Sequence, residues 1–130
     1  MEQHDGTILN VSSISAFGTE PGIGYYNATK AAAVYLTSQL ADELAPRVRV
    51  NGIAPDVVKT YFSRALWEGR EEQILRSVPL GRFGEPEDIA NAALFLVSDA
   101  ASWITGRCSR STMVPWSFRQ RTPALTDARL

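Results

Sequence analysis

Apolar and polar residues alternate through TILNVSS (7–13), a run rich in β-formers that predicts a strand. AFGTEPGIG (16–24) breaks the alternation with three glycines and a proline and predicts a loop. From 25 to 45 the period changes. Ala28, Ala32, Leu36, Leu40 and Leu44 recur every fourth residue along one face of a helix, and Pro46 follows its end. VRVNGIAP (48–55) predicts a second strand. Strand, long helix, strand is a βαβ unit, which implies parallel strands joined by a right-handed crossover.

A further helix is predicted over about 60–77, with Phe62, Leu66, Ile74 and Leu75 as its apolar residues and Gly69 as a break point. PLGRFGEP (79–86) reads as loop. Pro86 suits the first position of a helix over 86–98, Glu87 and Asp88 suit its N-terminus, and Ile89, Ala93 and Leu96 face inward. No internal repeat or low-complexity linker interrupts these elements. From Arg107 onward the chain is arginine-rich and aperiodic, so 107–130 reads as an irregular, disordered tail.

Composition narrows the chemistry. A length of 130 residues fits one domain with a modest core, and 45% hydrophobic residues fit a globular chain. A formal net charge of −1 gives no basic field for nucleic acid or an anionic membrane. No apolar run approaches the roughly 20 residues that span a bilayer. MEQHDGTI lacks the basic start and apolar centre of a signal peptide, so the expected location is cytoplasmic. With one cysteine, Cys108, and one histidine, His4, neither a disulfide, a metal site nor a histidine-dependent triad is expected. The terminus Ala128-Arg129-Leu130 loosely resembles a peroxisomal address and sets a peroxisomal location as the alternative.

Acid–base chemistry near neutral pH must then use another residue type. YYNATKAAA (25–33) offers one: Tyr26 and Lys30 are four apart and share a helix face. A tyrosine with a pKa of about 10 is a poor base by itself, but a nearby ammonium favours the phenolate. The pair is a general acid–base that needs no histidine. The bland alternative is a tyrosine ring packed on a lysine stem. Ser13 stands at the carboxyl end of the first strand, where open α/β sheets bind their ligands, and the loop 14–24 returns the chain to the helix start. A hydroxyl there suits a substrate carbonyl or hydroxyl. Ser12 and Ser15 are local alternatives, with turn hydrogen bonds and capping as their ordinary roles.

These residues resemble the classical short-chain dehydrogenase/reductase family over about 6–106. NVSS, Ser13 thirteen residues before Tyr26, YYNATKAA, LADELAPRVRVNGIAP and PLGRFGEPEDIANAALFLVSDAASWITG match it in order. The resemblance implies an α/β fold: a partial Rossmann-like parallel sheet, the C-terminal half of a doubly wound domain. It implies NAD or NADP as cofactor and an alcohol or ketone as small-molecule substrate. Ser13 would position the substrate oxygen and Tyr26 would exchange its proton. Lys30 would lower the Tyr26 pKa and bond the nicotinamide ribose. In PDVVKT (55–60), which resembles the loop beside the nicotinamide, Pro55, Val58 and Thr60 are implied as cofactor contacts. Core packing for Val58 and a helix cap for Thr60 are the ordinary alternatives. Asp56 stands where the family usually has glycine, which matters if the backbone there needs φ > 0. Residues 60–77 resemble the family's mobile substrate lid, where Phe62, Leu66 and Trp67 either line an apolar pocket or pack the lid helices.

Other parts of the family pattern are not in these residues. The glycine-rich turn that brings backbone amides to the pyrophosphate is absent, as are the residue that selects NAD over NADP and the asparagine of the catalytic tetrad. Gly18, Gly22 and Gly24 precede the helix and do not replace that turn. After ITG the family continues into a last strand and a VDGG turn. Here the chain reads RCSRSTMVPW, and a shift of reading frame after the Gly106 codon accounts for the change: with suitable codons the other frame reads PVLAVDDGAMV. The expected consequence is no strand beside 48–54. Family members usually form homo-oligomers, and the helix over 25–45 would pack against absent elements and a partner subunit. A non-catalytic remnant or interaction module is the competing reading of the chain. Epimerases and dehydratases that share the Tyr-x-x-x-Lys spacing are a third, disfavoured by PLGRFGEPEDIANAALFL.

Overall fold

The computed structural model describes residues 5–76 and 78–111. Three parallel strands form one sheet in the order β1 (Gly6–Val11), β2 (Val48–Ala54), β3 (Cys108–Arg110). Gly6 pairs with Val48 and Val11 with Ile53, so β1 and β2 run in full register. α1 (Gly24–Leu44) connects them, completing the predicted βαβ unit. The predicted strand 7–13 ends earlier, at Val11. There the chain turns into a 3-10 turn, Ile14–Phe17.

Alternation along β2 assigns its two faces. On one face, Gly52 lies against Thr37 of α1, and Thr37 Oγ1 accepts from Asn10 Nδ2 of β1 at 3.0 Å. On the other, the Arg49 guanidinium donates to the carbonyls of Leu96, Ser98 and Ile104 at 3.0, 3.1 and 3.3 Å. These are the freed carbonyls near the end of α4 (Pro86–Val97) and the turn after it, which a cation suits. Asn51, fully buried, donates to Ile104 O at 2.7 Å and accepts from Arg107 N at 3.2 Å. Val50, Ile53 and Ala54 are completely covered, which puts the core on the central strand.

The stripe Ala28, Ala32 and Leu36 is exposed, and the buried positions of α1 are Asn27, Thr37 and Ala41. Close approach decides this. Small residues let the helix settle on the sheet, and the buried polar side chains find partners there. Thr37 Oγ1 donates to Ala33 O at 2.8 Å. Asn27, with its amide oriented to satisfy both ends, donates to Ile23 O and accepts from Glu20 N.

The single helix predicted over 60–77 is instead two short ones, α2 (Arg64–Trp67) and α3 (Glu71–Leu75). Gly69 separates them at φ +76°, a left-handed conformation that a helix cannot contain. The predicted absence of a strand beside 48–54 is also corrected. β3 pairs with Gly52–Ala54, and its ladder is extended by Gly52 N to Arg107 O at 2.7 Å and Ser111 N to Ala54 O at 3.2 Å. The physical reason is that a ladder is made by backbone groups. The free edge of β2 accepts any extended chain, whatever the periodicity of its side chains. The rest of the predicted tail, 112–130, with the Ala128-Arg129-Leu130 terminus, lies outside the described residues, as does Ser77.

Candidate active site

The carboxyl end of β1 is fastened on two sides. Toward β2, Ser12 N donates to Ile53 O at 2.7 Å and Ile14 N donates to Pro55 O at 3.0 Å. Toward α1, Ser12 Oγ donates to Lys30 O at 2.7 Å, and Lys30 Nζ donates to Val11 O at 3.3 Å. One turn earlier on α1, the Tyr26 ring lies beside that ammonium, with Lys30 Nζ 5.6 Å from its centroid. Tyr26 is 37% exposed, whereas its neighbour Tyr25 is 93% exposed.

The three serines separate by role. Ser12 is buried and spends its hydroxyl proton on the Lys30 carbonyl. Ser15 is buried and donates to Ser13 Oγ at 2.9 Å, while its backbone N–H donates to the same oxygen at 3.2 Å. Ser13, extended at φ −155°, caps the 3-10 turn and accepts both bonds. The Ser13 and Ser15 hydroxyls thus form one bonded pair just past the carboxyl end of β1.

A second cluster follows β2. Gly84 N donates to Val57 O at 3.2 Å and Lys59 N donates to Gly84 O at 2.8 Å, bridging this segment to the loop before α4. Thr60 Oγ1 accepts from Ser63 N at 3.2 Å, which makes it the cap of the turn leading into α2. The hydrogen bonds that fix Val58 and Thr60 therefore run to Ser63 and Gly84, not to Ser13, Tyr26 or Lys30. The Val58 N–H has no hydrogen-bond partner among the described residues, and it suits a ligand carbonyl or carboxamide oxygen. Asp56 accepts from Val57 N at 2.8 Å, and no non-glycine residue described has positive φ. The left-handed strain considered for Asp56 is absent.

Around α2, Phe62 is 84% exposed and Leu66 is exposed. Trp67 packs on buried Phe83 with ring centroids 6.1 Å apart, and Lys59 Nζ stands 5.3 Å from both rings. Sequence reasoning missed Ser63, whose only sign was its place three residues after Thr60. It also missed Arg110, which stacks 5.1 Å from the Phe17 centroid at the carboxyl end of the sheet. No group of three or more candidate metal ligands occurs among the described residues.

A family model described as enoyl-(acyl carrier protein) reductase matches residues 1–110. Dehydrogenase/reductase SDR family member 4 of Homo sapiens is 49% identical over 104 residues, covering 78% of this chain and 37% of that protein. The 3-oxoacyl-[acyl-carrier-protein] reductase FabG of Thermotoga maritima is 43% identical over 108 residues, covering 82% of this chain and 44% of that one. Among solved structures, a short-chain dehydrogenase/reductase from Brucella melitensis superposes with a TM-score of 0.80 at 36% identity, covering 83% of this chain and 44% of that chain. A 7α-hydroxysteroid dehydrogenase complexed with NADH and 7-oxo glycochenodeoxycholic acid superposes with a TM-score of 0.78 at 39% identity, covering 82% and 42%. The chain thus spans 37 to 44% of the length of these curated relatives.

Proposed function

Because the chain belongs to the short-chain dehydrogenase/reductase family, we propose that it carries the acid–base half of a nicotinamide-dependent oxidoreductase site acting on an alcohol or ketone. The observation that carries the reading is the Lys30 ammonium. It lies over the Tyr26 ring while bonded to the carbonyl of Val11, two residues before Ser13.

A nicotinamide held here would supply or accept the hydride. In reduction, the Tyr26 hydroxyl gives its proton to the substrate oxygen as the carbonyl carbon receives the hydride, and an alcohol results. In oxidation both transfers reverse. Ser13 donates its hydroxyl proton to the same oxygen and fixes its position. Lys30 supplies positive charge beside the tyrosine. The Val58 N–H and the Thr60 turn would hold the nicotinamide half of NAD or NADP, with Pro55 at the root of that loop. In this reading the substrate class includes ketones, secondary alcohols, sugars and 3-oxoacyl thioesters.

NADH and NADPH titrated into the purified chain, together with a turnover assay, test this reading. The expected result is weak cofactor binding and no turnover by the 130-residue chain alone, because its residues hold no pyrophosphate loop. Activity should appear when a polypeptide with the N-terminal part of a relative is supplied. A complex that assembles, binds cofactor and reduces carbonyls equally well with Tyr26→Phe would sink the assignment.

A further inference from the structure

We propose that Ser63 is the positioning residue that sets the backbone of Val58–Thr60, the segment assigned above to the nicotinamide. The proposal rests on that assignment for its purpose and on the hydrogen bonds of Ser63 for its geometry.

Ser63 is buried on an otherwise exposed turn, and its single hydroxyl is fully used. The proton goes to the Val58 carbonyl. The oxygen faces three donors, Thr60 N at 3.2 Å, Thr60 Oγ1 at 3.1 Å and Trp67 Nε1 at 3.1 Å. A serine hydroxyl has one donor and two acceptor sites, so these partners more than fill it.

The two peptide planes that flank Val58 are each pinned. The Val57–Val58 plane is held by Gly84 N on the Val57 carbonyl, and the Val58 N–H has no hydrogen-bond partner among the described residues. The Val58–Lys59 plane is held by Lys59 N on Gly84 O and by Ser63 on the Val58 carbonyl. Two of these three hydrogen bonds run between backbone groups. The third comes from a side chain, the Ser63 hydroxyl. It also bonds the Thr60 amide, so one oxygen couples both proposed cofactor contacts. Trp67, wedged against Phe83 beneath the Lys59 ammonium, holds that oxygen from the other side. The segment is therefore built before any ligand arrives, which lowers the ordering cost of binding.

Backbone amide exchange, read residue by residue, tests the geometry without a ligand. NADH titrated into the same purified chain tests its purpose. Ser63→Ala and Ser63→Val remove the hydroxyl. Ser63→Thr keeps it and matches valine in shape, so that pair remains informative if alanine disturbs the fold. The expected result is Thr60 amide exchange faster by about fivefold to tenfold in the alanine and valine variants, and NADH affinity weaker by about fivefold. The Val50 and Ile53 amides in β2 should stay protected, and threonine should restore both readouts. Unchanged Thr60 exchange in the valine variant, or threonine behaving as valine does, overturns the proposal. Absence of NADH binding to the unsubstituted chain counts against the cofactor reading alone, and the exchange comparison still decides the role of Ser63.

Discussion

The Lys30 ammonium stands 5.6 Å from the centroid of the Tyr26 ring and is bonded at the same time to the carbonyl of Val11. One cation thus ties the first turns of α1 to the carboxyl end of β1. Neither contact requires burial of the charge, because the side chain lies at a partly open rim. The tyrosine and the end of β1, two residues before Ser13, are held by one group.

Tyr25 and Tyr26 provide an internal control. Tyr26→Phe should lower carbonyl reduction by about 10²- to 10⁴-fold in the reconstituted assembly, the range for losing a general acid–base. Tyr25→Phe, at a site 93% exposed, should leave it unchanged. Steady-state kinetics of both variants, with circular dichroism to confirm folding, check this. Equal losses would mean that neither hydroxyl is the proton donor.

Gly52→Ala should destabilise the fold. A Cβ at this position would lie 2.9 Å from Cys108 Sγ and 3.2 Å from Thr37 Oγ1. Thr37 is fully buried and bonded to Ala33 O, so it cannot retreat. The expected cost is about 1–3 kcal/mol by urea unfolding, the range for overpacking a core. Cys108→Ala in the same chain should recover part of it, because it removes the shortest contact and leaves those to Thr37 Oγ1 and to the Cβ of residue 108 at 3.3 Å.

Asp88 should keep its charge in unusually acidic solution. Arg82 donates to its two oxygens at 2.6 and 2.8 Å, and Glu85 N donates to it at 2.9 Å, so its carboxyl is held well below the ordinary carboxylate range. A pKa lowered in the folded state adds stability above the unfolded value of about 4, and that stability is lost as pH falls below it toward the folded value. NMR titration of the Asp88 carboxyl should show it ionised after the other aspartates have protonated. Asp88→Asn should flatten the acid limb of the stability profile.

Cys108 should alkylate slowly in the folded chain. Burial pushes its thiol pKa up, because a thiolate is poorly solvated there. Iodoacetamide labelling near neutral pH should lag behind a cysteine peptide, accelerate at higher pH than the peptide does, and match it once the chain is unfolded in urea. Folded-state labelling as fast as the peptide would show an open strand edge at Cys108.

Sequence alone determined whatever depends on neighbours along the chain. The four-residue spacing of Tyr26 and Lys30 puts them together on any helix, and the alternation in 7–13 and 48–55 marks strands at any location. Pro86 and Asp88 mark a helix start by groups that act within one turn. The tertiary structure decided what depends on distant partners. It committed the Ser12 hydroxyl to the Lys30 carbonyl and paired the hydroxyls of Ser13 and Ser15. It turned the Ala28, Ala32 and Leu36 stripe outward, since Thr37 and Ala41 permit closer contact with the sheet. It recruited Cys108–Arg110 as a strand, because the unpaired edge of β2 binds extended backbone without regard to side-chain pattern. Ser63 was illegible for the same reason: its partners Val58, Thr60 and Trp67 meet only after Gly69 has broken the predicted helix and the chain has folded back on Phe83.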